Sequence, residues 1–143
     1  MNQQNLPPMY SLTAMGIATF LGSALAAGYM LTSNYAALGQ RRMSQFALGG
    51  SVVLVLAFIF IPSQFVTNIT TAVITMVGQV VLVLVIANKL QGAMFTSFEE
   101  MGGAYHPMRR AVLVGIAASL VLTFALVILA VVLGTGAQPQ ATP

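Results

Sequence analysis

Apolar residues occur in four long runs along this chain, and short polar segments separate them. The first run, residues 12–31, contains twenty residues without a charge. A helix of that length reaches roughly 30 Å, the thickness of the hydrocarbon core of a bilayer. The pattern predicts an all-α polytopic membrane protein, a four-helix transmembrane bundle. The predicted spans cover residues 12–35, 46–61, 69–87 and 111–133.

The segments outside the spans have distinct patterns. Pro7 and Pro8 disfavour a helix in residues 1–11, and Gly39 is a plausible stop for the first helix. The connection at 38–45 is short. The tail 134–143 is rich in Gly, Pro and Gln, and we expect it to be disordered.

The one substantial connection covers residues 88–110. Within it Leu90, Met94, Phe98 and Met101 recur at helical spacing, with Lys89, Gln91, Glu99 and Glu100 largely off that stripe. The pattern indicates either a third helix that continues past the headgroups or a short helix, residues 88–108, that lies in the interface. Gly102 and Gly103 should end either helix.

The composition supports a membrane domain that covers the whole chain, residues 1–143. Hydrophobic residues make up 58% of the chain and charged residues 5%, with a mean hydropathy of +0.92. A soluble domain needs far more surface charge. The net charge of +3 comes from five scattered basic residues, too few for a nucleic-acid partner. The absence of Cys excludes disulfides, Fe–S clusters and thiolate metal sites.

The basic residues predict the orientation. In a four-span bundle all of them fall on one side, which the positive-inside rule makes cytoplasmic. Both termini are then expected to be extracytoplasmic, in the inner membrane of a bacterium. The topology-determining residues are Arg41, Arg42, Lys89, Arg109 and Arg110.

Small residues on the first span predict that it lies at the centre of the bundle. Gly22 and Ala26, like Ala24 and Gly28, are spaced four apart, and such pairs let helix backbones approach closely. We interpret Gly22, Ala26 and Gly28 as helix-packing residues. A seam between two copies of the chain is the alternative.

Polar side chains at mid-membrane depth predict one intramembrane layer. Gln79 is the only strongly polar member, and Thr75 precedes it by one helical turn. The predicted layer consists of Ser23, Thr75, Gln79, Ser119 and Thr123. Interhelical hydrogen bonding is the favoured interpretation, and a solute or ion path is the alternative. No span contains an ionisable side chain of the kind that proton relays and ion-coupled transport usually need.

The candidates for acid–base or metal chemistry are few. Glu99 and Glu100 are the only acidic residues, and His106 is the only histidine. No second His or any Cys completes a ligand set, so no metal, cofactor or catalytic residue is predicted. We expect the glutamates to pair with Lys89, Arg109 or Arg110 instead.

Two segments resemble a known pattern. Residues 25–42, LAAGYMLTSNYAALGQRR, resemble small uncharacterised bacterial inner-membrane proteins in which a small-residue span ends in an Asn-Tyr-x-x-Leu-Gly turn with basic residues. Residues 101–115, MGGAYHPMRRAVLVG, are similar to their second motif, Gly-Gly followed by a span that begins with basic residues. That family often has Trp before the last span, where this chain has none. The resemblance implies architecture and no activity.

These features favour a non-catalytic accessory or scaffold subunit that binds other membrane proteins. A small solute or ion permease or pore, acting as an oligomer, is the second hypothesis, and a membrane enzyme is the third. The expected partners are the lipid bilayer and other membrane proteins or further copies of the chain.

Overall fold

The computed structural model describes residues 6–60 and 67–134, which form an all-α fold. The prediction of an all-α protein is confirmed. The helices are α1 Leu12–Ala37, α2 Arg41–Phe60, α3 Ile69–Glu100 and α4 Met108–Val132. Each of the four is long and apolar enough to cross a membrane by length and composition. Residue 61 of the second predicted span and residues 135–143 of the predicted tail lie outside the described residues.

Side-chain caps begin two of the helices. The Ser11 hydroxyl accepts the N–H of Ala14 at 3.2 Å at the start of α1. The Asn68 side chain accepts the N–H of Thr71 at 3.0 Å at the start of α3. Gly39 and Gly102, at φ +74° and +73°, follow the ends of α1 and α3. Helices commonly end at glycines in this left-handed conformation.

The connection predicted at 88–110 is mostly helix. α3 continues without interruption from Ile69 to Glu100, so the separate interfacial helix at 88–108 does not form and the connection shrinks to residues 101–107. The reason is local: no helix stop occurs before Gly102. The buried face also differs from the predicted stripe, since Leu90 is 49% exposed and Met101 57%. The buried positions are Val83, Ala87, Gln91, Phe95 and Phe98.

α1 is broken in the middle. Gly22 and Ser23 have non-helical backbone angles, which divide α1 into a first arm, residues 12–21, and a second arm, residues 24–37. A straight helix would hold Tyr10 and Asn34 about 36 Å apart. Instead the N–H of Tyr10 donates to Oδ1 of Asn34 at 2.8 Å, and Nδ2 of Asn34 donates to the carbonyl of Tyr10 at 2.9 Å. α1 is therefore a helical hairpin whose two ends meet.

The hairpin changes the expected arrangement of the chain ends. The arms reach about 15 Å and 21 Å, short of the roughly 30 Å of a bilayer core. Met9 pairs with Tyr105 in a parallel bridge, so residues 6–11 lie at the end of the bundle where α4 begins. α4 then runs about 37 Å to the opposite end. Residues 6–11 and Gly134 therefore lie at opposite ends of the bundle, unlike the same-side arrangement expected for the two termini, because α1 turns back on itself.

The core of the fold surrounds the hairpin. α2, α3 and α4 each pack extensively against α1 and hardly touch one another. This agrees with the central position expected from the small residues of the first span. Beyond the tip of the hairpin the three helices separate, and none of residues 56–60, 69–82 and 116–132 is buried. We call these three segments the far half of the bundle.

Candidate functional site

The predicted packing residues lie where the hairpin meets its neighbours. A Cβ atom on Gly22 would overlap the backbone carbonyl of Gly115 in α4, and one on Gly28 would overlap the Ser51 side chain in α2. Ala26 is fully buried. Glycine therefore permits close approach of a neighbouring helix at two places, the tip of the hairpin and its second arm.

The turn at the tip contains a strained residue. Ser23 has φ 66° and ψ −176°, a conformation that is essentially restricted to glycine. Its hydroxyl accepts the N–H of Leu25 at 3.4 Å, which places Ser23 as the N-cap of the second arm. Docking against Gly115 and the cap together hold a backbone turn that the local sequence would not adopt alone.

The five side chains of the predicted polar layer are not joined by hydrogen bonds among residues 6–60 and 67–134. Ser23 belongs to the tip turn, and the Thr75 hydroxyl donates to the carbonyl of Thr71 in its own helix at 2.8 Å. Thr123 is exposed, while Gln79 and Ser119 are half-buried. Within the described part of the chain these residues therefore supply no interhelical hydrogen bond.

The buried polar contacts lie instead at the base of the hairpin. Nδ2 of Asn34 donates to Oε1 of Gln91 at 3.1 Å, besides its pair of bonds with the Tyr10 backbone. Nε2 of Gln91 donates to the carbonyl of Leu31 at 3.2 Å. Asn34 and Gln91 are 1% and 0% exposed. We call these two side chains with the Tyr10 backbone the base cluster.

The base cluster binds parts of the protein to each other. Its amide oxygens and nitrogens all have partners within the chain, so none is directed towards a ligand. Nearby, the hydroxyl of Tyr35 donates to the carbonyl of Leu90 at 3.0 Å, a second link between the second arm and α3. Sequence reasoning missed Asn34 and placed Gln91 on a polar face. The only local signal was an amide at each of these positions beside an apolar run.

We call the base cluster together with the Tyr35–Leu90 hydrogen bond the clamp, and backbone hydrogen bonds extend it to the segment before α4. The N–H of Met9 donates to the carbonyl of Ala104 at 3.3 Å, and the N–H of His106 donates to the carbonyl of Met9 at 2.8 Å. Met9 is fully buried. Residues 6–11 are thus bound to the α3–α4 connection as well as to α1.

Two rings pack at this contact. The rings of Tyr10 and His106 lie 4.5 Å apart between centroids, tilted by 47°. Burial raises the pKa of Tyr10 above its usual value of 10.0 and lowers the pKa of His106 below its usual 6.5, with Arg110 adding to the second shift. A neutral imidazole fits the geometry, since Nη1 of Arg110 donates to Nδ1 of His106 at 2.9 Å.

The acidic residues do not form the expected ion pairs in the described part of the chain. Instead the hydroxyl of Tyr105 donates to Oε1 of Glu99 at 3.0 Å. Burial, followed by that hydrogen bond, raises the pKa of Tyr105 to about 12. Glu100 is exposed, and no group of three potential metal ligands occurs among the described residues.

The five basic residues lie at one end of the bundle. Arg41 and Arg42 begin α2, Arg109 and Arg110 lie in the first turn of α4, and Lys89 is two positions from Gln91 in α3. All five are exposed. We call this the basic end. It also holds the base cluster and residues 6–11.

An apolar groove opens beside the second arm, between α2 and α3, with a volume of about 340 Å³. Phe46, Gly50 and Leu54 line it from α2, and Val83, Ile86 and Leu90 line it from α3. Tyr35 and Ser51 also line it, but their hydroxyls donate to the carbonyls of Leu90 and Leu48. The interior of the groove therefore suits an apolar chain.

The candidate site thus consists of the clamp, the apolar groove and the unpacked far half. Comparison of the chain with protein-family models, with curated proteins and with solved structures finds no match.

Proposed function

We propose that this protein is a non-catalytic subunit of the bacterial inner membrane that binds other membrane proteins through the far half of its bundle. The observation that carries the proposal is Gln79. Its amide lies in an apolar stretch of α3, and in the described residues it forms no hydrogen bond. A carboxamide without a partner in hydrocarbon is unfavourable by several kcal/mol. A polar group on another membrane helix would satisfy it.

The surroundings of Gln79 favour a helix as the partner. A Cβ on the adjacent Gly78 would meet nothing within 4 Å, so another backbone has room to approach there. Residues 69–82 of α3 include no fully buried position, so most of the segment is accessible to another helix. Close backbone approach together with an amide hydrogen bond is the usual way in which membrane helices associate.

Gln79→Leu is expected to abolish binding of the partner protein without lowering the stability of the isolated chain. Gln79 makes no hydrogen bond within the described chain, so its loss should leave the thermal stability in detergent unchanged. A blue-native gel after mild extraction should lose its band with a foreign protein. Gln45→Leu, the same change at an exposed position near the basic end, is the control and should keep that band.

Two other results would count against the scaffold function. If Gln79→Leu dissolves a clean homo-oligomer and no foreign protein is present, an oligomeric pore or permease becomes the better hypothesis. If the partner band persists while the protein melts earlier, Gln79 is an internal packing residue.

The orientation is part of the proposal. The positive-inside rule places the basic end in the cytoplasm. α2, α3 and α4 then cross the bilayer, and the α1 hairpin enters from the cytoplasmic side and returns to it. Backbone that turns inside a membrane is tolerated where protein surrounds it, and the tip turn packs against α4. Residues 6–11 would face the cytoplasm and Gly134 the outside.

Cysteine labelling tests this orientation, because the chain has no native Cys. Pro8→Cys and Gly134→Cys both place a thiol at an exposed position. In intact spheroplasts a membrane-impermeant maleimide should label only the Gly134→Cys protein, and lysis should expose the other. Labelling of both in intact spheroplasts would show that α1 crosses the bilayer, and labelling of Pro8→Cys alone would invert the orientation.

A further inference from the structure

Small residues form much of the wall of the apolar groove. Ala24, Ala27 and Gly28 line it from the second arm, and Ala47, Gly50 and Ser51 line it from α2. A Cβ added at Gly50 would meet nothing within 4 Å, so this position faces open space. Since α2 and α3 hardly touch each other, the groove opens sideways to the surroundings of the bundle, which in a membrane are lipid chains.

The volume of the groove limits what kind of molecule can bind in it. Its volume of about 340 Å³ lies at the lower end of small-ligand sites. A helix is about 10 Å across, and three turns of it would require several times that volume. A single hydrocarbon chain fits a groove of this volume between two helices, whereas a whole helix does not.

Basic side chains flank the groove where it reaches the basic end. Arg42 precedes Phe46 by four residues on α2, and Lys89 follows Ile86 by three on α3, so each lies on the same helix face as a lining residue. Both are exposed, and neither has an ion-pair partner in the described chain. An acidic phospholipid matches this arrangement, because its acyl chain suits the apolar groove and its negatively charged headgroup complements the two cations.

We propose that one acidic phospholipid binds this groove, with an acyl chain between the second arm, α2 and α3 and its phosphate between Arg42 and Lys89. The interior hydroxyls are already engaged, so the chain contributes apolar contact and the headgroup contributes selectivity. This site is on the opposite side of the hairpin tip from the far half, and it does not depend on the proposed binding of other proteins.

Native mass spectrometry of the purified protein in mild detergent tests the proposal, with phosphatidylglycerol and phosphatidylcholine titrated separately. We expect one tightly bound phosphatidylglycerol per chain and much weaker phosphatidylcholine. Arg42→Gln combined with Lys89→Gln should weaken phosphatidylglycerol by about 30-fold, since each basic residue contributes a factor of about five, and weaken the zwitterionic phosphatidylcholine much less. Arg41→Gln with Arg109→Gln removes the same net charge away from the groove and should have little effect.

A matched pair of glycines tests whether the acyl chain binds in the groove. Gly49 and Gly50 are adjacent on α2, and a Cβ at either meets nothing within 4 Å, but only Gly50 lines the groove. Gly50→Leu should abolish the bound lipid while Gly49→Leu retains it, with both proteins folded. Lipid retained in Gly50→Leu would overturn the proposal, as would equal binding of the two lipids. So would a dimer that Gly50→Leu dissociates, because a second copy would then occupy the groove.

Discussion

Gly22→Ile should yield a protein that inserts into the membrane in normal amounts but is less stable by about 3 kcal/mol. Any Cβ at this position would overlap the backbone carbonyl of Gly115, which belongs to a regular helix and cannot turn aside. The hairpin tip must then move away from α4 and lose its van der Waals contacts, with no hydrophobic gain to compensate in lipid. Insertion should survive because isoleucine is at least as apolar as glycine.

The free energy of unfolding in mixed micelles, compared with that of Gly49→Ile, measures this effect. Gly49 is also a helical glycine, but a Cβ there meets nothing within 4 Å, so the control should unfold like the parent. Equal stability of the two variants would show that the tip does not contact α4. α1 would then have to be a straight span, as the sequence alone predicts.

Much of this fold follows from the sequence, because lipid imposes one strong rule. Every backbone polar group must be satisfied internally, so long apolar runs become helices, and the four helices could be located from hydropathy. The sequence also predicts that helices end near Gly39 and Gly102 and that α1 is central in the bundle. Small residues on several faces of one helix are useful only if other helices approach it from several sides.

The break in α1 could not be predicted in this way. Hydropathy measures how well a segment dissolves in lipid, and a helix folded at Gly22 and Ser23 has the same composition as a straight one. Gly-Ser pairs are among the usual sites of helix kinks, but glycine is also tolerated within membrane helices, so the pair alone does not indicate a full reversal of the chain. The turn is fixed by contacts distant in sequence, that of Gly22 with Gly115 and that of Tyr10 with Asn34.

The same reasoning explains why the buried amides were missed. Gln79, in the middle of an apolar run, attracted attention, whereas Gln91 follows Lys89 and resembles an ordinary headgroup residue. In the structure Gln91 is fully buried because the hairpin base and residues 6–11 cover that part of α3. The burial of Gln91 depends on the hairpin, and the sequence does not predict the hairpin.

The two ends of the bundle consequently differ in what holds them together. At the basic end, a polar clamp of hydrogen bonds joins residues 6–11, the second arm and α3. In the far half the helices are separated and none of their residues is buried. Substitutions at the clamp should therefore change the stability of the isolated chain, and substitutions in the far half should change only its association with other proteins.

Asn34→Leu should be the most destabilising single change at the clamp. It removes three hydrogen bonds and leaves the N–H and carbonyl of Tyr10 and Oε1 of Gln91 without partners in a site closed to solvent. Each buried group left in this way is unfavourable by about 1–3 kcal/mol, so we expect a loss of roughly 4 kcal/mol. Amide hydrogen exchange at Met9 and Tyr10 should accelerate, because residues 6–11 lose their link to the second arm.

Asn88→Leu is the matched control for that change, since Asn88 is exposed on α3 and forms no hydrogen bond in the described chain. It should neither destabilise the protein nor speed exchange. Adding Gln91→Leu to Asn34→Leu should lower stability by less than the sum of the single changes, because the unpartnered Oε1 is then gone. Strict additivity, or slow exchange at Tyr10 in Asn34→Leu, would mean that the bonds of Met9 to the α3–α4 connection hold this end of the hairpin without the amides.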